Sequence, residues 1–302
     1  MKNLTKLFTL LLISTFGLFS CSDNDGVSGN EPMNIVEVAS ENGNFSTLVN
    51  ALATANLAVT LEGDGPFTVF APTNAAFDNL PSGLLQSLSN EQLATILSYH
   101  VLSGSVASTD LQAEQAVSAL TEENVFVTVE NNTVSVNGRS TVVAADVTAS
   151  NGIIHGINEV LFPNEFINIV KIVSKNYDLS TLVTLLADNN LVATLEGDGP
   201  FTVFAPTNQA FDNAQSVIAT LSDQQVADVL LYHVAAGEAL SGSLSDGQTV
   251  TTQQGEDISI NIDGAGNVTL NGSVNVTTVD LDGTNGVVHI IDGVLLPPSF
   301  QN

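Results

Sequence analysis

One segment of this chain occurs twice, and the repeat decides how the chain divides into domains. Residues 60–79 read TLEGDGPFTVFAPTNAAFDN, and residues 194–213 differ from them only where Gln209 replaces Ala75. Further matches lie 134 residues apart, give or take one: Asn34–Val36 with Asn168–Val170, Ser46–Val49 with Ser180–Val183, Tyr99–Val101 with Tyr232–Val234, and Asn151–His155 with Asn285–His289. A solenoid or propeller repeats at ~20–50 residues, whereas a whole domain has ~100–150. The sequence therefore predicts two copies of one domain, at residues 31–163 and 164–302.

The first residues have the pattern of an export signal. Lys2 and Lys6 flank the start of an apolar stretch, residues 7–19, that is too short to span a bilayer comfortably. Cys21, the only cysteine, follows this stretch directly behind Ser20, and the arrangement resembles the lipidation site of bacterial lipoproteins. We therefore expect residues 1–20 to be a signal peptide, Cys21 to carry the lipid, and residues 21–30 to be a flexible tether. The alternative is a spare thiol that is removed with the signal peptide.

The residues behind Cys21 bear on where the protein is displayed. Asp23 and Asp25 lie in a polar segment that resembles the export signal of surface-displayed lipoproteins in some Gram-negative bacteria. An ordinary solvated tether is the alternative. The predicted location is the bacterial outer membrane, with a lipid anchor and exposure at the cell surface.

The charge of the chain excludes two classes of partner. It has 5 Lys and Arg against 32 Asp and Glu, and removal of residues 1–20 takes away two lysines but no acid. Such a surface repels the phosphate backbone of nucleic acids. It also disfavours electrostatic docking on anionic lipid. We therefore expect no nucleic-acid partner, and contact with a membrane only through the N-terminal lipid.

Helical patterns come first in each copy and strand patterns follow. In the first copy the apolar residues of 35–39 and 48–55 recur at helical spacing, and Ser89 with Gln92 forms a capping-box pattern, as Ser222 with Gln225 does in the second copy. Phe67–Ala71 reads as a buried strand, and Asn137-Gly138 is a hairpin signal between alternating segments. This order predicts an α+β domain with an antiparallel sheet or sandwich. The connection between the copies is very short, which predicts a semi-rigid pair.

Three motifs occur in the same order in each copy, and together they resemble the fasciclin-like (FAS1) domain family. They are Thr68–Asn74 and Thr202–Asn208, the Tyr-His pairs at 99–100 and 232–233, and Asn151–His155 and Asn285–His289. The resemblance covers about residues 31–300. It implies two domains, each an antiparallel β-sandwich or wedge with helices packed against it. It also implies a role in extracellular adhesion or matrix binding.

The same resemblance suggests candidate partner-binding residues. In animal members of the family, the Tyr-His pair and its apolar neighbours have been linked to receptor recognition. The corresponding residues here are Tyr99, His100, Tyr232 and His233. The alternative is that both rings close the preceding helix onto the sheet.

The sequence offers no clear metal or cofactor site. The four histidines form matched pairs, and no Cys, Asp or Glu stands beside them at ligand spacing. We expect all four to be structural, and His155 and His289 most clearly, because they lie in apolar strands. Asp280–Asn285 loosely resembles a calcium loop but lacks the terminal Glu, so we interpret it as a turn and leave calcium binding open.

These patterns favour a binding protein and disfavour an enzyme. The chain contains no Gly-x-Ser-x-Gly elbow, phosphate-binding loop or dinucleotide fingerprint. We predict a lipid-anchored adhesion or binding protein that contacts an extracellular or envelope protein or a matrix component.

The alternative is a surface glycan-binding lipoprotein that feeds an outer-membrane uptake system. The absence of Trp and the presence of only 3 Tyr disfavour it, because sugars stack on aromatic side chains. A structural spacer of the envelope is a third, weaker option.

Overall fold

Each copy of the repeat folds into a seven-stranded sheet with helices on one face. The structure, a computed structural model, describes residues 32–300, which belong to one compact unit. The predicted signal peptide, Cys21 and the tether lie outside the described residues. Within residues 32–300, none of the helices combines the length and the apolar character that crossing a membrane requires.

The elements of the first domain are α1 Ile35–Glu41, α2 Ser46–Thr54, α3 Ala58–Glu62, β1 Phe67–Pro72, α4 Asn74–Asp78, α5 Leu84–Ser87, α6 Asn90–Ser98, β2 Val101–Ser103, β3 Glu114–Ser118, β4 Asn124–Glu130, β5 Thr133–Val136, β6 Ser140–Ala149 and β7 Gly152–Ile157. Those of the second are α7 Ile169–Lys175, α8 Ser180–Asp188, α9 Val192–Leu195, β8 Phe201–Pro206, α10 Asn208–Ile218, α11 Asp223–Tyr232, β9 Val234–Ala236, β10 Thr249–Thr251, β11 Asp257–Ile262, β12 Val268–Leu270, β13 Val274–Gly283 and β14 Gly286–Ile291. The 3₁₀ turn Asn164–Phe166 joins the two domains.

Local sequence signals set the ends of several elements. The predicted capping boxes are confirmed: Ser89 and Gln92 cap the start of α6, and Ser222 and Gln225 cap the start of α11. Within each box, each side chain accepts a hydrogen bond from the backbone N–H of the other residue. Asn137-Gly138 makes the β5–β6 turn, and both residues have positive φ, at 53° and 67°, as the predicted hairpin requires.

The sheet confirms the predicted α+β fold and adds one pairing that the sequence pattern did not predict. The strand order is β2-β1-β7-β6-β5-β4-β3 in the first domain and β10-β11-β12-β13-β14-β8-β9 in the second. Strands β3 to β7 form an antiparallel meander, but β7 lies parallel to β1, and β14 lies parallel to β8. The parallel pair arises because the helices α4 to α6 and the whole meander intervene between the two strands.

Strand β1, and its counterpart β8 in the second domain, separates two apolar cores. In β1, Val69 and Ala71 face a core formed with the helices, whereas Phe70 faces a second core enclosed by the curled sheet. The edge strand β2 approaches the far side of the sheet through a bridge between Leu102 and Ala119. Because both faces of β1 are buried, the strand reads as a continuous apolar run instead of an alternating one.

A half-buried amide explains why the last motif of each copy is shared. The Asn151 side chain accepts from the N–H of Ile35 at 2.9 Å and donates to the carbonyls of Leu61 and Gly63 at 2.7 and 2.8 Å. Asn285 makes the matching three bonds in the second domain. This amide therefore ties the first helix and the end of the third to the turn that precedes β7. The turn leaves no room at Gly65, where a Cβ would lie 2.0 Å from the Asn151 carbonyl oxygen.

Candidate functional site

Tyr99 closes helix α6 onto the β4–β6 part of the sheet. It is the C-cap residue of α6 and its ring is completely buried. The hydroxyl donates to the Asn124 carbonyl at 2.8 Å and accepts from the Asn137 amide at 3.1 Å. The same ring therefore holds both the start of β4 and the hairpin turn after β5.

Tyr232 has the same arrangement in the second domain. Its ring is buried, and its hydroxyl donates to the Asp257 carbonyl at 2.8 Å and accepts from the Asn271 amide at 2.9 Å. Burial raises the pKa of both tyrosines, so both hydroxyls stay protonated.

The neighbouring histidines join the same helices to the segment that follows the last strand. His100 Nδ1–H donates to the Ile96 carbonyl at 2.7 Å, and its Nε2 accepts from the Leu161 N–H at 2.8 Å. His233 makes the same two bonds, with the Val229 carbonyl and the Leu295 N–H. Both rings are buried, and desolvation lowers the pKa of each to about 4. Each imidazole is therefore neutral at physiological pH.

The four candidate partner-binding residues thus lie in the interior, with at most 2% of any of them exposed. Their polar atoms are occupied by backbone and amide partners within their own domain, and Tyr99 has one further partner described below. In this arrangement they connect helix and sheet, which was the alternative interpretation of the Tyr-His pairs. A part in partner binding stays a prediction for these residues.

The second pair of histidines also lies within hydrogen-bond networks. His155 Nε2 bonds to the Val106 carbonyl at 2.9 Å, and its Nδ1 accepts from the Asp146 N–H at 3.3 Å. His289 bonds likewise to the Ala239 carbonyl and the Asp280 N–H. Burial lowers the pKa of His289.

The loop that loosely resembles a calcium site has other partners for its oxygens. The Asp280 carboxylate accepts from both the backbone and the hydroxyl of Ser241. The Asn285 side chain is used in the amide contacts described above. Among residues 32–300, no group of three or more His, Cys, Asp or Glu side chains is placed to hold a metal ion.

The two domains meet through a buried lysine that belongs to none of the sequence motifs. Lys175, at the end of α7, is 6% exposed, and its ammonium group forms an ion pair with Glu123 of the first domain. It also donates to the Tyr99 hydroxyl at 3.1 Å and lies 5.0 Å from the centre of that ring. Burial lowers the pKa of Lys175, and the Glu123 carboxylate opposes this shift. The buried tyrosine of the first domain is thus part of the interface with the second.

Other contacts surround this ion pair. The Glu123 carboxylate also accepts from the backbone N–H of Asn164, in the connecting turn, at 3.1 Å. The rings of Phe126 and Tyr177 meet edge to face with their centres 5.7 Å apart. The β5–β6 hairpin packs so closely against α7 that a Cβ on Gly138 would lie 2.8 Å from the Ser174 carbonyl oxygen. Charge, aromatic and backbone contacts therefore fix the second domain against the first.

A comparison of the two copies distinguishes Lys175 from its counterpart in the sequence. Its matched position in the first copy is Glu41, and Lys171 is matched by Glu37. Two charge reversals within one short helix distinguish α7, which faces the other domain, from α1. Such a difference is visible in the sequence, but the partner Glu123 is not.

Comparisons with known proteins agree with this fold. The Fasciclin domain family matches residues 43–163 and 177–297. Transforming growth factor-beta-induced protein ig-h3 of Sus scrofa is 30% identical over 275 residues, which cover 89% of this chain and 40% of that protein. Protein sll1483 of Synechocystis is 46% identical over 135 residues, which cover 43% of this chain and 74% of that protein. Human periostin is 28% identical over 257 residues, 84% of this chain and 30% of periostin.

A solved structure has the same pair of domains. The FAS1 domain pair of fasciclin I, described as an insect cell adhesion molecule, superposes with a TM-score of 0.61 at 20% sequence identity. The match covers 86% of this chain and 99% of that one. The mammalian relatives are much longer than this chain, which spans 40% of the pig protein. From the two matched segments and the two seven-stranded domains, we conclude that this chain belongs to the fasciclin family and contains two FAS1 domains.

Proposed function

We propose that this chain is a lipid-anchored adhesion protein of the bacterial outer membrane. Two FAS1 domains contact an extracellular or envelope protein, or a matrix component, without catalysing a reaction. The family membership supports adhesion, because the solved pair with the same fold comes from a cell adhesion molecule. The lipid anchor and the surface location depend on the sequence around Cys21.

The interlocked domain interface is the observation that carries this proposal. Lys175 and Glu123 join the two domains, and the histidines and the paired tyrosines bond within the protein instead of converging on an open cleft. A fixed pair presents one continuous outer surface. Such a surface is better suited to extended contact with a large partner than to catalysis on a small molecule.

The charge of that surface limits the partner. Residues 32–300 contain 29 Asp and Glu against 3 Lys and Arg. We expect the contacting region of the partner to be basic, and attachment to weaken as salt screens the attraction.

The anchor is tested separately from adhesion. Mass spectrometry of the mature N-terminus should find an acylated Cys21, and Cys21→Ser should release the chain from the outer membrane. Protease treatment of intact cells should remove the wild-type protein. An unacylated terminus, or a chain that resists the protease on intact cells, would contradict the proposed anchor or the proposed surface display, respectively.

Adhesion is tested by competition. Cells that display the chain should attach to matrix-coated surfaces better than cells that lack it. The purified chain from Ser22 onwards, added in excess, should reduce that attachment in low salt. Attachment that is the same with and without the chain would remove the proposal. Specific binding on a glycan array would favour the alternative, a glycan-binding lipoprotein.

A further inference from the structure

A cavity of about 500 Å³ lies where the first domain meets the first helix of the second. Most of its lining is apolar, from the segment after α4, from α5 and from the connection between the domains, with Leu80, Leu84, Phe162 and Phe166 as examples. These side chains are half-buried, and Arg139, on the same lining, is exposed, so the cavity reaches the surface. Its volume falls within the ~300–1,000 Å³ that is typical of small-molecule sites.

The positive charge of the two domains is concentrated at this cavity. Residues 32–300 contain three Lys or Arg, namely Arg139, Lys171 and Lys175, and all three line it. Of the 29 acidic residues in the same range, only Glu159 does. Lys171 and Lys175 lie one turn apart in α7, and Arg139 of the first domain lines the same apolar depression.

The cations differ in how far they are already neutralised. Lys175 is buried and paired with Glu123. Arg139 and Glu159 are 3.5 Å apart with side chains 61% and 41% exposed, a geometry that contributes little in water. Lys171 is exposed, and its ammonium group makes no ion pair with any side chain in residues 32–300. With Glu159 of the lining and Glu123, which lies outside the lining but neutralises Lys175, the three cations leave one net positive charge, which matches a monoanion.

The repeat shows that these charges do not come from the fold itself. The matched positions in the other copy are Glu37 for Lys171, Glu41 for Lys175 and Ser273 for Arg139. A FAS1 domain therefore folds with acidic or neutral residues at all three places. The basic residues belong to the junction between the domains, where the apolar cavity is.

We propose that this cavity binds an amphipathic monoanion, an acyl chain that ends in one carboxylate. The tail lies against Leu80, Leu84 and Phe166, and the carboxylate pairs with Lys171 and Arg139. Burial of the tail supplies most of the affinity. The two exposed cations select the charged head against a neutral one. This binding site is additional to adhesion and does not depend on it.

The test uses the chain from Ser22 onwards, which retains every element of both domains and cannot be acylated at Cys21. Isothermal titration with dodecanoate below its micellar concentration should show saturable binding of one molecule per chain. Dodecan-1-ol, which has the same tail without the charge, should bind at least tenfold more weakly, and acetate should not bind. No binding of dodecanoate, or equal binding of the alcohol, would overturn the proposal.

Variants in which residues of the cavity are replaced by those at the matched positions of the other copy test whether this cavity is the binding site. Lys171→Glu with Arg139→Ser should weaken dodecanoate binding at least tenfold and leave dodecan-1-ol unaffected. Glu37→Gln, at the position in α1 that matches Lys171, is the control and should bind like wild type. Thermal unfolding checks that each variant is folded, and single variants replace the double if it is not. Unchanged dodecanoate binding in the folded variants would place the ligand elsewhere and reject this cavity as the site.

Discussion

The ammonium group of Lys175 in the second domain pairs with the carboxylate of Glu123 in the first and also bonds to the Tyr99 hydroxyl. The pair is mostly buried, with 6% and 23% of the side chains exposed. A partly solvated pair is a weak source of net stability, but loss of one partner leaves the other charge without compensation. The pair therefore makes each domain sensitive to the position of the other.

Replacement of Lys175 tests this coupling. Lys175→Met should lower the free energy of unfolding by about 2–3 kcal/mol, because the Glu123 carboxylate then lacks its cation. Denaturant titration measures the change. Calorimetry should show the two domains unfolding less cooperatively than in the wild type.

Two further variants separate charge from packing. Adding Glu123→Gln to Lys175→Met should restore part of the lost stability, since no buried charge remains unpaired. Glu41→Gln, at the matched exposed position in α1, should change stability by less than ~0.5 kcal/mol. A Lys175→Met protein as stable as wild type would show that the pair does not couple the domains.

The neutral histidines His100 and His233 predict a loss of stability in mild acid. Their pKa is about 4 in the folded protein and about 6.5 in an unfolded chain. The unfolded state therefore binds more protons below about pH 6.5, and stability falls as the pH drops from there to about 4. Between pH 7 and pH 5 we expect a loss of about 1–2 kcal/mol per histidine, measured by denaturant titration at each pH.

A variant without the two rings isolates their contribution. His100→Gln with His233→Gln should be less stable at pH 7 and should lose less stability between pH 7 and pH 5. His289, whose pKa is also lowered by burial, accounts for some remaining dependence. A slope equal to that of the wild type would assign the acid sensitivity to other groups.

The shared amide of the last motif should be essential in both copies. Asn151→Ala removes one acceptor and two donors that serve backbone groups of α1 and the segment after α3. We expect a loss of about 1–3 kcal/mol, because the backbone groups of the buried Ile35 and Leu61 are left unsatisfied. Asn285→Ala should behave in the same way in the second domain. Thermal unfolding of the two single variants and the double checks this, and little change in any of them would refute the assignment.

The two paired tyrosines form a natural control for their role. Tyr99→Phe should destabilise more than Tyr232→Phe. Within residues 32–300 the Tyr99 hydroxyl bonds to Asn124, Asn137 and Lys175, whereas that of Tyr232 bonds to two residues, Asp257 and Asn271. Each loss should lie within about 1–3 kcal/mol. The same variants test partner binding: lower attachment to a matrix-coated surface at unchanged stability would assign contact roles to these residues.

The sequence predicted the fold well wherever one local pattern determined one element. The capping boxes, the Asn137-Gly138 hairpin and the apolar strand Phe67–Ala71 each appear where the pattern indicated. The parallel pairing of β1 with β7 was not predicted, because it joins segments about eighty residues apart whose patterns contain no information about direction.

The interface was harder to predict than either domain. Lys175 falls in a helix whose apolar spacing explains its other residues, and an end-of-helix lysine is usually solvated. Its burial results from contacts with Tyr99 and Glu123 of the first domain, which lie 76 and 52 residues away in the chain. The Tyr-His pairs are the opposite case. The motif was easily found in the sequence, but the burial of its side chains could not be predicted from it.

The asymmetry of α1 and α7 gives the tandem a direction. The position of Glu123 in the second copy is occupied by Glu256. If the two halves were exchanged in order, Glu41 would therefore lie opposite Glu256 and Lys175 would face water, so the ion pair between the domains would be lost. The two domains are therefore a leading and a trailing unit, and their order cannot be reversed without loss of the contact between them.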